Sequence, residues 1–335
     1  MLPQVVSSQL GNSSNISGPC QEENQHMSLI VLLCLVFFLG FLLNAFSLWV
    51  FWCRMPRWTS GTILQFHLAL SDAIATPVTP MMAVYFIMDN KWPFGWFMCQ
   101  VNIALFSSHF YGSTIFLTLI SIHRYTTVVQ FNKSSHMKRK PFVKKLCAGV
   151  WFLMLIQALV YASLFPPFFV STPKGNIQCL SIHQGNLTNS YFVINFVLFI
   201  CGFLLPFVVS VVCYTRLAGS LTRLNISTAQ GLKVKVKSQR MIGMCLVIFG
   251  LCFLPLNVMR TVGVVLKKYY PHKCYILLQI ETAYYACWIL AGVNSCLDPL
   301  LYCFGSQNFR DAFKSLRIVQ GDAPNRSDSE TSANQ

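Results

Sequence analysis

Apolar runs near or above the roughly 20 residues that span a bilayer recur along this chain, at 28–52, 61–88, 96–122, 146–170, 190–214, 241–266 and 275–303. With that many runs the chain has little choice of fold. A backbone inside hydrocarbon must satisfy its own hydrogen bonds, so runs of this length become helices and helices pack into a bundle. The expected class is an all-α membrane protein: a seven-transmembrane helix bundle. Composition agrees, since 54% of the 335 residues are hydrophobic and only 10% are charged, too apolar for a soluble domain of this size.

Charge sets the topology. The 27 residues before the first run hold no Lys or Arg, whereas "CRMPRW" after it supplies Arg54 and Arg57. By the positive-inside rule the N-terminus faces outward, and the first run reads as an uncleaved signal anchor. Alternating from there, every Lys and Arg lies on the cytoplasmic side except Lys91, Lys174, Arg260, Lys267, Lys268 and Lys273. The net charge of +15 is therefore topology and attraction to anionic membrane lipids. Because the basic residues are split among separate loops, the charge argues against nucleic acid as a partner.

Four regions follow: an extracellular tail over 1–27, the bundle over 28–303, an amphipathic membrane-surface helix over 304–318 and a disordered cytoplasmic tail over 319–335. The surface helix is read from "SQNFRDAFKSLR", where Phe309, Phe313 and Leu316 share a face opposite Arg310, Asp311, Lys314 and Arg317. The tail carries serines open to phosphorylation. Sequons at Asn12, Asn15 and Asn186 fall outside and are expected to be glycosylated, whereas those at Asn132, Asn225 and Asn325 fall inside. The same sidedness places Cys20, Cys99, Cys179 and Cys274 in an oxidising exterior that permits two bridges, with three pairings open.

Polar residues inside the runs are the functional candidates, because each costs free energy at membrane depth unless it finds a partner. Asp72 in "HLALSDAIA" is expected to meet Asn44, Ser113, Asn294, Ser295 and Asp298 in a shared pocket. Two carboxylates with amide and hydroxyl oxygens suit a hard cation such as Na+; a water-bridged network without an ion is the other reading. Pro77, Pro80, Pro206, Pro255 and Pro299 each remove a backbone donor and can bend a helix. The histidines, His67, His109 and His123 among them, show no metal-ligand spacing and read as packing residues. No catalytic constellation or cofactor site emerges, so an enzyme is not expected. A transporter would require paired broken helices in two related halves, and no internal symmetry is visible.

The polar and proline landmarks occur in a recognisable order: Asn44; "LALSD" ending at Asp72; Cys99 with "HRY" beginning 24 residues later; Trp151; Pro206 followed by Tyr214; "CFLP" ending at Pro255; and "NSCLDPLLY" from Asn294 to Tyr302. Over residues 28 to about 317 the chain thereby resembles the rhodopsin-like, class A G-protein-coupled receptors. "HFYGSTIFLTLISIHRY", "NKWPFG" and a Cys20–Cys274 pair are similar to the purinergic nucleotide receptors and their lipid-binding relatives. The resemblance implies a plasma-membrane receptor with a Cys99–Cys179 disulfide and a second bridge tying the tail to the third outer loop. It implies that His123, Arg124, Tyr125, Tyr214 and Tyr302 serve G-protein coupling, and that Phe253, Pro255, Phe249 and Pro206 form the activation switch. Heterotrimeric G protein, membrane lipids, arrestin and receptor kinases are the implied partners, and Na+ bound by Asp72, Ser113, Asn294 and Asp298 the implied allosteric ion.

The expected ligand residues are Arg260, Asn257, Phe106, Asn102, Tyr284, Tyr285 and Trp288. Nucleotide-binding members use several cations and a histidine on the sixth helix; here Asn257 stands where that histidine would fall and Trp288 where an arginine is expected. One arginine among aromatic rings suits an anionic head on an apolar or aromatic body, through charge-assisted bonds and burial. The favoured ligand is accordingly a lysophospholipid, oxidised fatty acid or carboxylate metabolite, with a nucleotide or nucleotide sugar as the alternative. His123 stands where most relatives carry a carboxylate, which implies a loosely restrained Arg124.

Overall fold

The computed structural model describes residues 27–311 apart from 56, 75, 77, 90, 130–134, 165–178, 180–187, 224–228 and 306–308. Asn12, Asn15, Cys20, Asn186, Pro77, the cytoplasmic tail and most of the expected surface helix lie outside the described residues. Among the described residues seven helices are long and apolar enough to cross a membrane: α1 Met27–Arg54, α2 Ser60–Ile87, α3 Gly95–Val128, α4 Lys140–Val160, α5 Asn189–Ser220, α6 Val236–Tyr269 and α7 Cys274–Phe304. No strand occurs among the described residues.

Several helices outrun the apolar stretches that mark them. α3 has 34 residues, about 51 Å at 1.5 Å per residue, against a hydrocarbon layer of about 30 Å. Hydropathy marks only the part in lipid; the polar "HRYTTV" end continues as helix beyond it. α4 likewise begins six residues before its apolar run, at Lys140.

α3 is the central post. It packs against α2, α4, α5 and α6, while α1 closes the ring between α2 and α7. The burial follows: 61% of the α3 apolar window is inside the bundle against 22% for α4, whose Phe152, Leu153, Leu155 and Leu159 are exposed toward lipid.

Prolines shape the helices at identifiable atoms. Pro206 and Pro255 cannot donate to the carbonyls four residues earlier, those of Gly202 and Leu251, and each of these lies in a widened π-helical stretch, Leu198–Leu204 in α5 and Ile248–Phe253 in α6. In α7 the carbonyl released by Pro299 is that of Ser295, and the side-chain amide of Asn44 on α1 donates to it at 2.7 Å. The same amide nitrogen also donates to the Gly40 carbonyl at 3.0 Å. Asn44 thus repairs a proline defect on a neighbouring helix, which explains a fully buried amide on an otherwise apolar span.

Cys99, at the start of α3, is disulfide-bonded to Cys179, with Cα atoms 5.8 Å apart. Cys274 is also disulfide-bonded. Of the expected surface helix, residues 304, 305 and 309–311 are described, the first two still in the helix Asn294–Gly305, and Phe309 is buried with its ring 5.2 Å from Phe51 and 6.0 Å from Tyr302.

Candidate functional site

Arg260 stands about one and a half turns after Pro255 on α6. Its Nη2 donates to Asn257 Oδ1 at 3.1 Å, and Asn257 Nδ2 donates to the Phe253 carbonyl at 3.0 Å. This chain of bonds holds the guanidinium to its own helix. On its other side the guanidinium lies 5.7 Å from the centroid of Tyr111, a cation–π distance. Tyr191 on α5 and Tyr284 on α7 are within electrostatic reach of the same charge. Asn195 Nδ2 donates to Thr261 Oγ1 at 3.2 Å, tying α5 to α6 beside the cluster.

Tyr111 can reach this position because of Gly202. A Cβ on that glycine would lie 2.6 Å from Tyr111 Cε1, closer than carbon atoms tolerate. Sequence reasoning named Arg260, Asn257 and Tyr284 but missed Tyr111, Tyr191 and Gly202. Tyr111 follows Phe106 by five residues, which turns it well away from the Phe106 face of α3, and nothing local announces which helix it meets instead.

The remaining expected ligand residues form a second group. Trp288 is packed between Phe106 and Phe37, at centroid distances of 4.8 and 5.7 Å, and is almost fully buried. Tyr285 lies edge-on to Phe86 at 4.9 Å and donates to Glu281 Oε1 at 3.4 Å. Asn102 is buried and donates to Met82 Sδ at 3.2 Å, toward α2. Tyr284 and Tyr285, with rings 5.6 Å apart, join the two groups.

Below them an aromatic ladder descends. Phe110 meets Phe253 at 5.1 Å, Phe253 meets Phe249 at 6.0 Å, and Phe249 meets Phe207 at 6.0 Å. Phe253 and Phe249 are fully buried, and the Pro206 carbonyl accepts from Thr118 Oγ1 at 3.3 Å. The residues expected as a switch are therefore contiguous with one another and with the floor of the Arg260 site.

At mid-bundle Asp72, Ser113, Asn294 and Asp298 lie together, whereas Asn44, expected with them, is taken up by the Gly40 and Ser295 carbonyls. Ser113 Oγ donates to Asp72 Oδ1 at 2.8 Å, Asn294 Nδ2 donates to Asp298 Oδ2 at 3.4 Å, and the two carboxyl groups are within electrostatic reach of each other. One addition was missed. His109, one turn before Ser113 on α3 and so on the same face, brings Nδ1 to 3.3 Å from Asp72 Oδ1. The i, i+4 relation to Ser113 was the available signal.

At the inner end, Arg124 Nε donates to Met241 Sδ on α6 at 2.9 Å. His123 is turned toward α2, where a Cβ on Gly61 would lie 3.0 Å from its Cε1. Tyr125 and Tyr214 are half-buried, and Tyr302 is fully buried against Phe51 at 5.4 Å. Met241 belongs with these residues and was not expected there.

The profile described as 7 transmembrane receptor (rhodopsin family) matches residues 43–302. The chain belongs to the rhodopsin family of seven-transmembrane, G-protein-coupled receptors, a receptor family and not an enzyme family. Among curated proteins it is similar to purinoceptor 2 of Homo sapiens, 33% identical over 294 residues covering 85% of this chain and 75% of the relative. It is likewise similar to purinoceptor 4 of Mus musculus, 32% identical over 320 residues covering 93% and 85%. Purinoceptor 3 of Gallus gallus is 30% identical over 300 residues, covering 88% and 90%. The family implies an extracellular ligand and coupling to G protein.

Proposed function

We propose that this chain is a plasma-membrane receptor, N-terminus outside, that binds an extracellular nucleotide and activates heterotrimeric G protein. The observation that carries this reading is the likeness to purinoceptors over most of the chain. It reverses the order taken from the residues: the lipid or carboxylate ligand finds no support among these relatives, and the nucleotide moves from alternative to main reading.

The site's chemistry supports the change. The sequence reading ranked ligands by the number of cations, whereas base-on-aromatic stacking is worth about 1–3 kcal/mol per base. In the proposed complex the base and ribose lie against Tyr284, Tyr285 and Phe106, and the phosphates meet Arg260. Lys267, two turns further along α6, extends the positive strip outward, and Lys268 and Lys273 steer an anion toward the opening. Binding biases the bundle only through differential affinity for its resting and active forms. A shift around Phe253 pivots α6 at the Pro255 stretch, moves Met241 from Arg124 and opens the inner end to a G-protein helix. Receptor kinases and arrestin then act on the serines of the tail.

The test is a G-protein dissociation assay in cells expressing the full chain, with ATP, ADP, UTP, UDP and UDP-glucose against a lysophosphatidic acid and dicarboxylate panel. A response confined to nucleotides supports the reading. A response confined to lipids or carboxylates refutes it.

A further inference from the structure

The mid-bundle pocket has the oxygen content for Na+, yet one feature of this chain does not fit that ion. Two acids from different helices, Asp72 and Asp298, lie within electrostatic reach of each other, with Ser113 and Asn294 at hydrogen-bond distance from one or the other. Asp72 Oδ2 and Asp298 Oδ1 have no hydrogen-bond partner among the described residues. Into the same space projects His109, 2% exposed, with Nδ1 3.3 Å from Asp72 Oδ1. Its ring is backed on the far side by Phe37 of α1, edge-on at 6.5 Å.

A hard monovalent cation is held by a shell of oxygen atoms. An imidazole N–H is a donor and offers such a cation nothing. The ring takes one line of approach to Asp72 Oδ1, while Ser113 takes another. Neither ring nitrogen makes a hydrogen bond among the described residues, so the ring acts by the space it takes beside Asp72, where it supplies no oxygen atom to a cation. Nor do His, Cys, Asp and Glu side chains converge in a metal-binding group of three anywhere among the described residues.

We propose that His109 occupies with its own ring the place a Na+ ion would take beside Asp72, making this receptor indifferent to Na+. Removing it, while keeping a small oxygen-bearing side chain, converts the pocket into a Na+ site. The claim does not rest on the identity of the agonist.

The experiment is thermal unfolding of the detergent-purified full chain in NaCl and in choline chloride at equal ionic strength, since an ion bound only to the folded state raises its melting temperature. The wild type is expected to melt at the same temperature in both salts. His109→Asn is expected to gain a Na+-dependent rise of about 2 °C or more, and His109→Asn with Asp72→Asn to lose it. His109→Gln gives a second folded background should the asparagine variant purify poorly. A Na+-dependent rise in the wild type overturns the proposal. So does an equally flat response in the wild type and in both single His109 variants, because the ring would then not be what excludes the ion.

Discussion

Asn44 illustrates how a single side chain is justified by an atom on another helix. Its amide satisfies the carbonyl that Pro299 leaves open, so Asn44→Ala strands a buried acceptor at Ser295 as well as deleting two hydrogen bonds. The expected cost is about 1–3 kcal/mol, seen as a lower melting temperature of the purified receptor in either salt. His123 presents the opposite case, a side chain defined by what it does not do. It packs against Gly61 on α2, and Arg124 reaches the thioether of Met241, a weak acceptor. A carboxylate at position 123 would hold the arginine by a charge-assisted bond. His123→Asp is therefore expected to lower ligand-independent G-protein signalling at matched surface expression; equal basal signals would contradict this account of the resting state. At this scale the sequence spoke unevenly. Asp72, Ser113, Asn294 and Asp298 could be grouped because each is costly in lipid and must find company. His109 and Tyr111 could not, since a histidine or tyrosine on a long apolar helix is compatible with packing alone, and only the rotation of α3 shows which neighbours it meets.

Among the elements, α5 and α6 matter most, because each combines a proline with a π-helical stretch and the two stretches flank the Phe203, Phe207, Phe249 and Phe253 rings. Within α5, Gly202 is the position that admits the Tyr111 ring. Gly202→Val is expected to displace that ring, remove the cation–π face from Arg260 and lower nucleotide potency by about fivefold to thirtyfold, the range corresponding to about 1–2 kcal/mol at a desolvated site. Unchanged potency with normal surface expression would show that Tyr111 does not support Arg260. The helices themselves were legible as apolar runs to within a few residues at most ends. α3 and α4 were misjudged where polar or basic residues continue the helix into water, since hydropathy reports the solvent and not the backbone.

For the whole molecule, the arrangement is a central α3 carrying, from one end to the other, the disulfide at Cys99, the face toward Arg260, the carboxylate pocket and the Arg124 contact to α6. The helical class and the ordered landmarks could be read from the chain because lipid imposes few solutions. The ligand could not, because charge counting undervalued ring faces, and because the partners of Arg260 come from three helices whose mutual rotation no local pattern records. The likeness to purinoceptors and the tyrosine-lined arginine now point to the same chemistry.

The most direct test of that chemistry is the dose-response of G-protein dissociation to the active nucleotide in wild type and Arg260→Ala at equal surface expression. Losing a charge-assisted contact of about 2–3 kcal/mol predicts a rightward shift of about thirtyfold or more for the alanine variant, with basal signalling unchanged. Coincident curves would contradict the account, as would a wild type that answers no nucleotide.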